Sequence, residues 1–186
     1  MPSTLAWVLL LVTLGLWVLG AHNRLVRLRH DLRQAYAPLS SALRQRHAVA
    51  LTLAETSRPR MAGTAQAELV DATTGAARRA GHACDQVQLK ALRGNVLQQV
   101  AVAEERLVSM LEELGLALQD LTSGDGPDAV VSDLLRQRDQ LQEQIAFSRQ
   151  VYNHAADAYN QAIALFPTTL VASLLRFHRA PEFPPI

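Results

Sequence analysis

The chain has 186 residues, enough for one domain and one appendage. Hydrophobic residues make up 49% but aromatics only 5%, which excludes collagen-like and low-complexity chains and disfavours an all-β sandwich. A lone cysteine, Cys84, excludes an internal disulfide framework and a cysteine-built zinc site, and the net charge of +1 acquires meaning only when mapped along the chain.

Residues 1–23 carry no charged side chain, and Leu5 to Ala21 is almost continuously apolar. Its Leu and Val residues each favour insertion by about 0.3–0.6 kcal/mol, and about 20 such residues cross a bilayer core as a helix. Leu5, Leu10, Leu14 and Leu19 would face the acyl chains. Trp7 and Trp17, near the two ends, suit the headgroup interface, although apolar filler explains them as well. A cleaved secretory signal is the competing reading. It would want basic residues before the apolar run, and here only Val18, Gly20 and Ala21 hint at a cleavage site. Arg24, Arg27, Arg29 and Arg33 follow the span and nothing basic precedes it. The charge rule therefore puts the N-terminus outside and the bulk of the chain in the cytoplasm, with those arginines near lipid headgroups.

Four helices are predicted after the anchor. Leu25, Leu28, Leu32, Ala35, Leu39, Ala42, Val49 and Leu53 keep a three–four spacing interrupted by Arg46. Pro38 should kink this helix or mark a joint, and Arg58-Pro59 should end it. An alanine-rich stretch covers residues 62–84, with Ala65, Leu69, Ala72, Ala76, Ala80 and Ala83 in phase. Next comes the clearest stripe: Leu89, Leu92, Val96, Val100, Ala103, Leu107, Met110, Leu114, Leu118 and Leu121. Only a weak break between Gly81 and Asp85 separates the two, so one rod or two helices are both open. Ser123 to Pro127 is a turn, and Pro127 or Asp128 starts the last helix. That helix carries Val131, Leu134, Leu141, Ile145, Tyr152, Ala155, Tyr159, Ile163 and Phe166 in phase, and Pro167 stops it. No stretch alternates with period two. The expected fold is all-α: a transmembrane helix over 1–23, an antiparallel four-helix bundle of long helices over 24–166, and a tail over 167–186.

Residues 22–60 hold eight Arg against Asp31 and Glu55, a net of +6, whereas residues 61–186 sum to −5. The basic excess suits anionic lipid near Arg24 to Arg33, and Arg44 and Arg46 suit the acidic Glu104, Glu105, Glu112 and Glu113 inside the bundle. Nucleic-acid recognition has no motif. No His-Glu-x-x-His, Glu-x-x-His or glycine-rich phosphate loop occurs, and His82 and Cys84, two apart, point to different helix faces. The expectation is therefore no enzyme, no cofactor and no metal, with Cys84 a semi-buried filler and each histidine at the surface.

Tyr152 and Tyr159 lie one heptad apart and share a face, with Asn153 and Asn160 beside them. They form either a partner groove or a pair of core-edge tyrosines whose hydroxyls reach a polar group. If the helices alternate direction, the tail returns to the membrane, and Leu170 to Phe177 with Arg176, Arg179 and Phe183 would lie at headgroup level; otherwise its apolar residues cap the bundle.

The run from Glu143 through Ile145-Ala-Phe147-Ser-Arg149, two Tyr-Asn pairs seven residues apart and Phe166-Pro167 resembles the LemA family. His22-Asn-Arg-Leu-Val, Leu43-Arg-Gln-Arg-His47 and Gln99-Val-Ala-Val-Ala-Glu104 are similar to it as well. Departures include Tyr36 where the family usually has Trp, and Val49 to Leu53 in place of an Ile-Pro-Asn-Leu segment. The resemblance implies an N-terminally anchored helical bundle with its bulk in the cytoplasm, and it does not imply an enzyme, the family's biochemical role being poorly defined. The partners expected are the lipid bilayer, a protein of unknown identity, and a second copy of the chain as a homo-oligomer. The competing expectation is a secreted or periplasmic helical protein.

Overall fold

The computed structural model describes residues 2–64, 66–90, 94–122 and 128–186, and among these there is no strand. Five helices run in order: α1 (Pro2–Met61), α2 (Ala67–Lys90), α3 (Gly94–Thr122), α4 (Ala129–Ala164) and the short α5 (Thr168–Leu174). Ala65, Leu92 and the turn expected over 123–127 fall outside the described residues, as do the side chains of Leu5, Leu89 and Leu121.

α1 is the frame. It extends about 90 Å, given 1.5 Å per residue over its 60 residues. The joint expected at Pro38 does not divide it, and it passes Pro59 to end at Met61. Pro38 is exposed while Tyr36, Leu39 and Ser40 beside it are buried, so packing on the inner face offsets one lost backbone bond. Gly63, at φ +80, takes the left-handed conformation that lets the chain leave the helix, and Thr64 caps it by donating from N and Oγ1 to the Met61 carbonyl.

α2 and α3 are separate helices, but Gly81 to Asp85, where the break is expected, lies inside α2, which starts at Ala67 rather than 62 and runs on to Lys90. Val87 of α2 and Leu97 of α3 share one apolar cluster, so the chain reverses between them. At the far end of the bundle, Arg60 of α1 pairs with Asp128 at 2.7 Å. Asp128 also caps α4, its side chain accepting from the Val130 N–H at 2.9 Å. Leu25 of α1 packs at the opposite, basal end with Tyr159 and Ile163 of α4. The four long helices therefore alternate in direction, as an antiparallel bundle requires. α1 packs closely against α2 and α4, and α3 mainly against α2. The α3–α4 seam is wider, with a cavity of about 370 Å³ lined by Leu118, Val131, Leu135 and Arg136 among others.

The core is in two parts. A basal cluster holds Leu25, Leu32, Leu39, Leu43, Val96, Val100, Ile145, Tyr152 and Tyr159; a distal one holds Leu53, Met61, Val70, Leu107, Leu111, Leu114 and Val131. These reproduce the expected stripes, with two exceptions. Ala72 is exposed, and Phe166 is exposed because α4 stops at Ala164, two residues before the helical phase would carry its ring inward.

Truncation should separate buried from exposed leucines. Leu107→Ala should lower the unfolding free energy by about 2–5 kcal/mol, and Leu116→Ala, whose side chain is 64% exposed, by less than about 0.5 kcal/mol. Denaturant titration of the detergent-solubilised chain, followed by circular dichroism, measures both.

Candidate functional site

Between the two apolar clusters lies a layer of polar side chains to which all four long helices contribute. Arg46 and His47 come from α1, Cys84 from α2, Glu104 from α3 and Gln142 from α4. Arg46 Nη2 donates to Glu104 Oε2 at 2.5 Å and Nη1 to Gln142 Oε1 at 2.8 Å. His47 Nε2 stands 2.5 Å from Glu104 Oε1, and the Cys84 thiol donates to the same oxygen at 3.9 Å. Arg46 and Glu104 are essentially fully buried. An isolated charge at such a place costs several kcal/mol, so neither residue is tolerable without the other. The apolar spacing puts position 46 on the buried stripe, which is why an arginine there must find an acid inside.

The histidine expected at the surface is inside: His47 is buried because it follows Arg46 and faces the same carboxylate. Cys84 is buried rather than half-buried, and burial first, then the Glu104 charge, pushes its thiol up to about 12. It is a neutral, unreactive group at physiological pH. His47 Nε2, Cys84 Sγ and a Glu104 oxygen lie within 4.8 Å of one another, a donor set known for divalent cations. Here both carboxylate oxygens are already engaged, and the Arg46 guanidinium puts a fixed positive charge beside the point such an ion would occupy.

Asn153 and Asn160 form a second constellation. Each spends its whole amide on one residue of the tail. Asn160 Nδ2 donates to the Ala180 carbonyl and its Oδ1 accepts from the Ala180 N–H, at 2.9 and 2.8 Å. Asn153 does the same with Phe183, at 3.0 and 2.8 Å. Each amide thus imitates a neighbouring strand's peptide group. The spacing fits: seven helical residues rise about 10.5 Å, and three residues of extended chain cover about 10 Å. The Tyr152 hydroxyl donates to the Pro181 carbonyl at 2.9 Å, and its ring meets Tyr36 edge to face at 5.8 Å. Phe183 is buried beneath this clamp. The face offered by Tyr152, Asn153, Tyr159 and Asn160 is thus occupied by the chain's own tail, and the tail belongs to the bundle's core. Periodicity exposed the shared face but carried no sign of what fills it.

The basal end is the third feature. In the most apolar 18-residue stretch of α1 no residue is buried. Trp7, Leu10, Leu14 and Leu19 are exposed and Trp17 is half-buried. Arg24, Arg27, Arg29 and Arg33 are exposed too, on the length of α1 that enters the bundle. Phe177 of the tail packs edge to face on His22, with ring centroids 6.0 Å apart, so α5 sits at the height where the apolar segment ends.

The LemA family model matches residues 35–184, most of the chain, and the chain belongs to the LemA family. A comparison with curated proteins gives no match.

Glu104→Gln should destabilise the bundle by about 3–5 kcal/mol, because Arg46 is left buried without a counter-charge. The double variant Arg46→Met/Glu104→Leu should recover most of that loss in the same denaturant titration. In the clamp, Asn153→Asp and Asn160→Asp each remove a donor and set a carboxylate against a carbonyl, a change of about 1–3 kcal/mol. The pair should raise tryptic cleavage after Arg176 and Arg179 roughly ten-fold or more; an unchanged cleavage rate would contradict the clamp.

Proposed function

We propose that this LemA-family chain is a membrane-anchored, non-enzymatic helical module that holds its bundle at the cytoplasmic face of a bilayer and acts there by binding a protein. The observation that carries the reading is the exposed apolar stretch of α1, continuous with the bundle's central helix. The twenty residues from Pro2 to Ala21 rise about 30 Å, the thickness of the hydrocarbon core. None of the residues in its most apolar stretch is buried against the bundle, so only lipid or another protein can cover it.

The arginine cluster supports the direction. Arg24, Arg27, Arg29 and Arg33 are exposed just past the span, where each gains about 1 kcal/mol near an anionic leaflet and where positive residues are retained on the cytoplasmic side. For the protein-binding role the tyrosine–asparagine face is taken by the tail. The apolar pair Phe147 and Val151, one helical turn apart on the outer side of α4, is exposed and offers a more accessible contact. The buried polar layer supplies bundle specificity on this reading, since Arg46, His47 and Cys84 converge on the one Glu104 carboxylate; a cavity of about 120 Å³ adjoins Arg46 and Gln142.

Cell fractionation with N-terminal sequencing tests the anchor. The expected result is a chain that stays in the membrane pellet through alkaline extraction and begins at Met1, Pro2 or Ser3. A soluble chain beginning near Ala21 or His22 would contradict it and favour the secreted form. A tag after Ile186 should resist protease added to intact cells; digestion there would overturn the orientation.

A further inference from the structure

We propose that the corner between α4 and α5 is a second membrane contact, in which Leu165, Phe166, Leu170 and Leu174 enter the headgroup–acyl boundary of the leaflet from which α1 emerges. This rests on the anchored reading above and adds a contact that the anchor alone does not require.

α5 buries Thr168, Val171 and Ala172 against the bundle. Its other side presents Leu170 and Leu174, one turn apart, 61% and 78% exposed, beside Leu165 at 55% and Phe166 at 80%. This seven-residue helix thus has one face for the core and an outer face where Leu170 and Leu174 stand beside exposed Ser173 without an occupant in the chain. At φ 54, Arg176 takes the left-handed conformation that usually calls for glycine, and the Phe177 N–H then returns to the Ala172 carbonyl at 2.9 Å. That reversal holds the corner as a compact hook and seats Phe177 on His22.

Position selects the occupant. Ala172 shares a core cluster with Leu25, and Phe177 touches His22, so the hook stands within one helical turn of the end of the apolar span. If residues 2–21 fill the hydrocarbon, the bundle's geometry puts the hook at the interface and its outer leucines toward the acyl chains. Exposed arginines follow both segments in the chain, Arg24 and Arg27 just past the span and Arg176 and Arg179 just past α5, alongside the exposed Gln161 and Ser173. An apolar patch with arginines near it in the chain fits an anionic leaflet in both its parts.

The test uses the full chain in vesicles of phosphatidylcholine and phosphatidylglycerol, with and without brominated acyl chains. Trp7 and Trp17 are replaced by Phe, and one indole is then introduced by F166W, L174W, L16W or F147W in separate proteins. The expected result is that brominated lipid quenches F166W and L174W about as strongly as L16W within the span, and that their emission is blue-shifted. F147W, on the outer side of α4, should remain water-like and unquenched. Quenching of L16W without quenching of F166W and L174W would overturn this contact and leave the anchor standing. Blue-shifted but unquenched emission at both positions would mean that protein covers the patch, in particular a second copy, and would overturn it as well. Loss of quenching at L16W would remove the anchored reading and this contact together.

Discussion

The continuity of α1 is the constraint on which the rest depends. One helix carries the apolar N-terminal stretch, the exposed arginines and the inner face against which α2 and α4 pack. A continuous helix carries its direction along its length, so where its first twenty residues sit determines where the bundle sits. Antiparallel alternation then brings the end of α4 to the base, and α5 with the tail closes that end over Leu25 and His22. Had α2 and α3 formed one rod, the same tail would have emerged at the far end.

Along this frame the polar layer acts as a register mark. Apolar side chains slide past one another at little cost, but the buried Arg46 and Glu104 meet each other only at one height, where His47, Cys84 and Gln142 also join them; Arg46 Nε alone stays unpaired. The backbones of α1 and α3 approach closely at few points, so the contacts of Arg46 and His47 with Glu104 join the two across the bundle together with the apolar clusters they share. Such a layer adds little net stability against a well-packed apolar alternative; what it contributes is the exclusion of shifted packings. The asparagine clamp does the same for the tail, fixing an extended segment to α4 by both edges of two amides.

Much of this was legible in the residues. The apolar stripes of α1, α3 and α4 identified most of the core, the start of α4 was narrowed to Pro127 or Asp128, of which Asp128 is the cap, and the run before Arg24 stood out by the absence of charge. Arg46 was visible as an interruption in a stripe, and its acidic partner on the third helix was among the expected ones. What could not be read was long-range pairing. His47 looks like one more surface histidine until the carboxylate of a helix 57 residues away is placed beside it. Asn153 and Asn160 share a face in sequence, but only the return of the tail shows that backbone, rather than a partner, fills it. Pro38 lies within one continuous helix rather than at a joint, and the end expected at Arg58-Pro59 falls two residues on, at Met61. The Phe166 ring followed the period on paper, yet the helix had already ended.

Hydrogen exchange of the full chain in lipid nanodiscs tests the unbroken α1 most directly. Amides from the apolar stretch through Leu43 should exchange slowly without a gap, the span shielded by lipid and the remainder by the bundle. A fast-exchanging break between Gly20 and Arg24 would mean that the bundle hangs from the membrane on a flexible joint, and the fixed basal placement would be wrong.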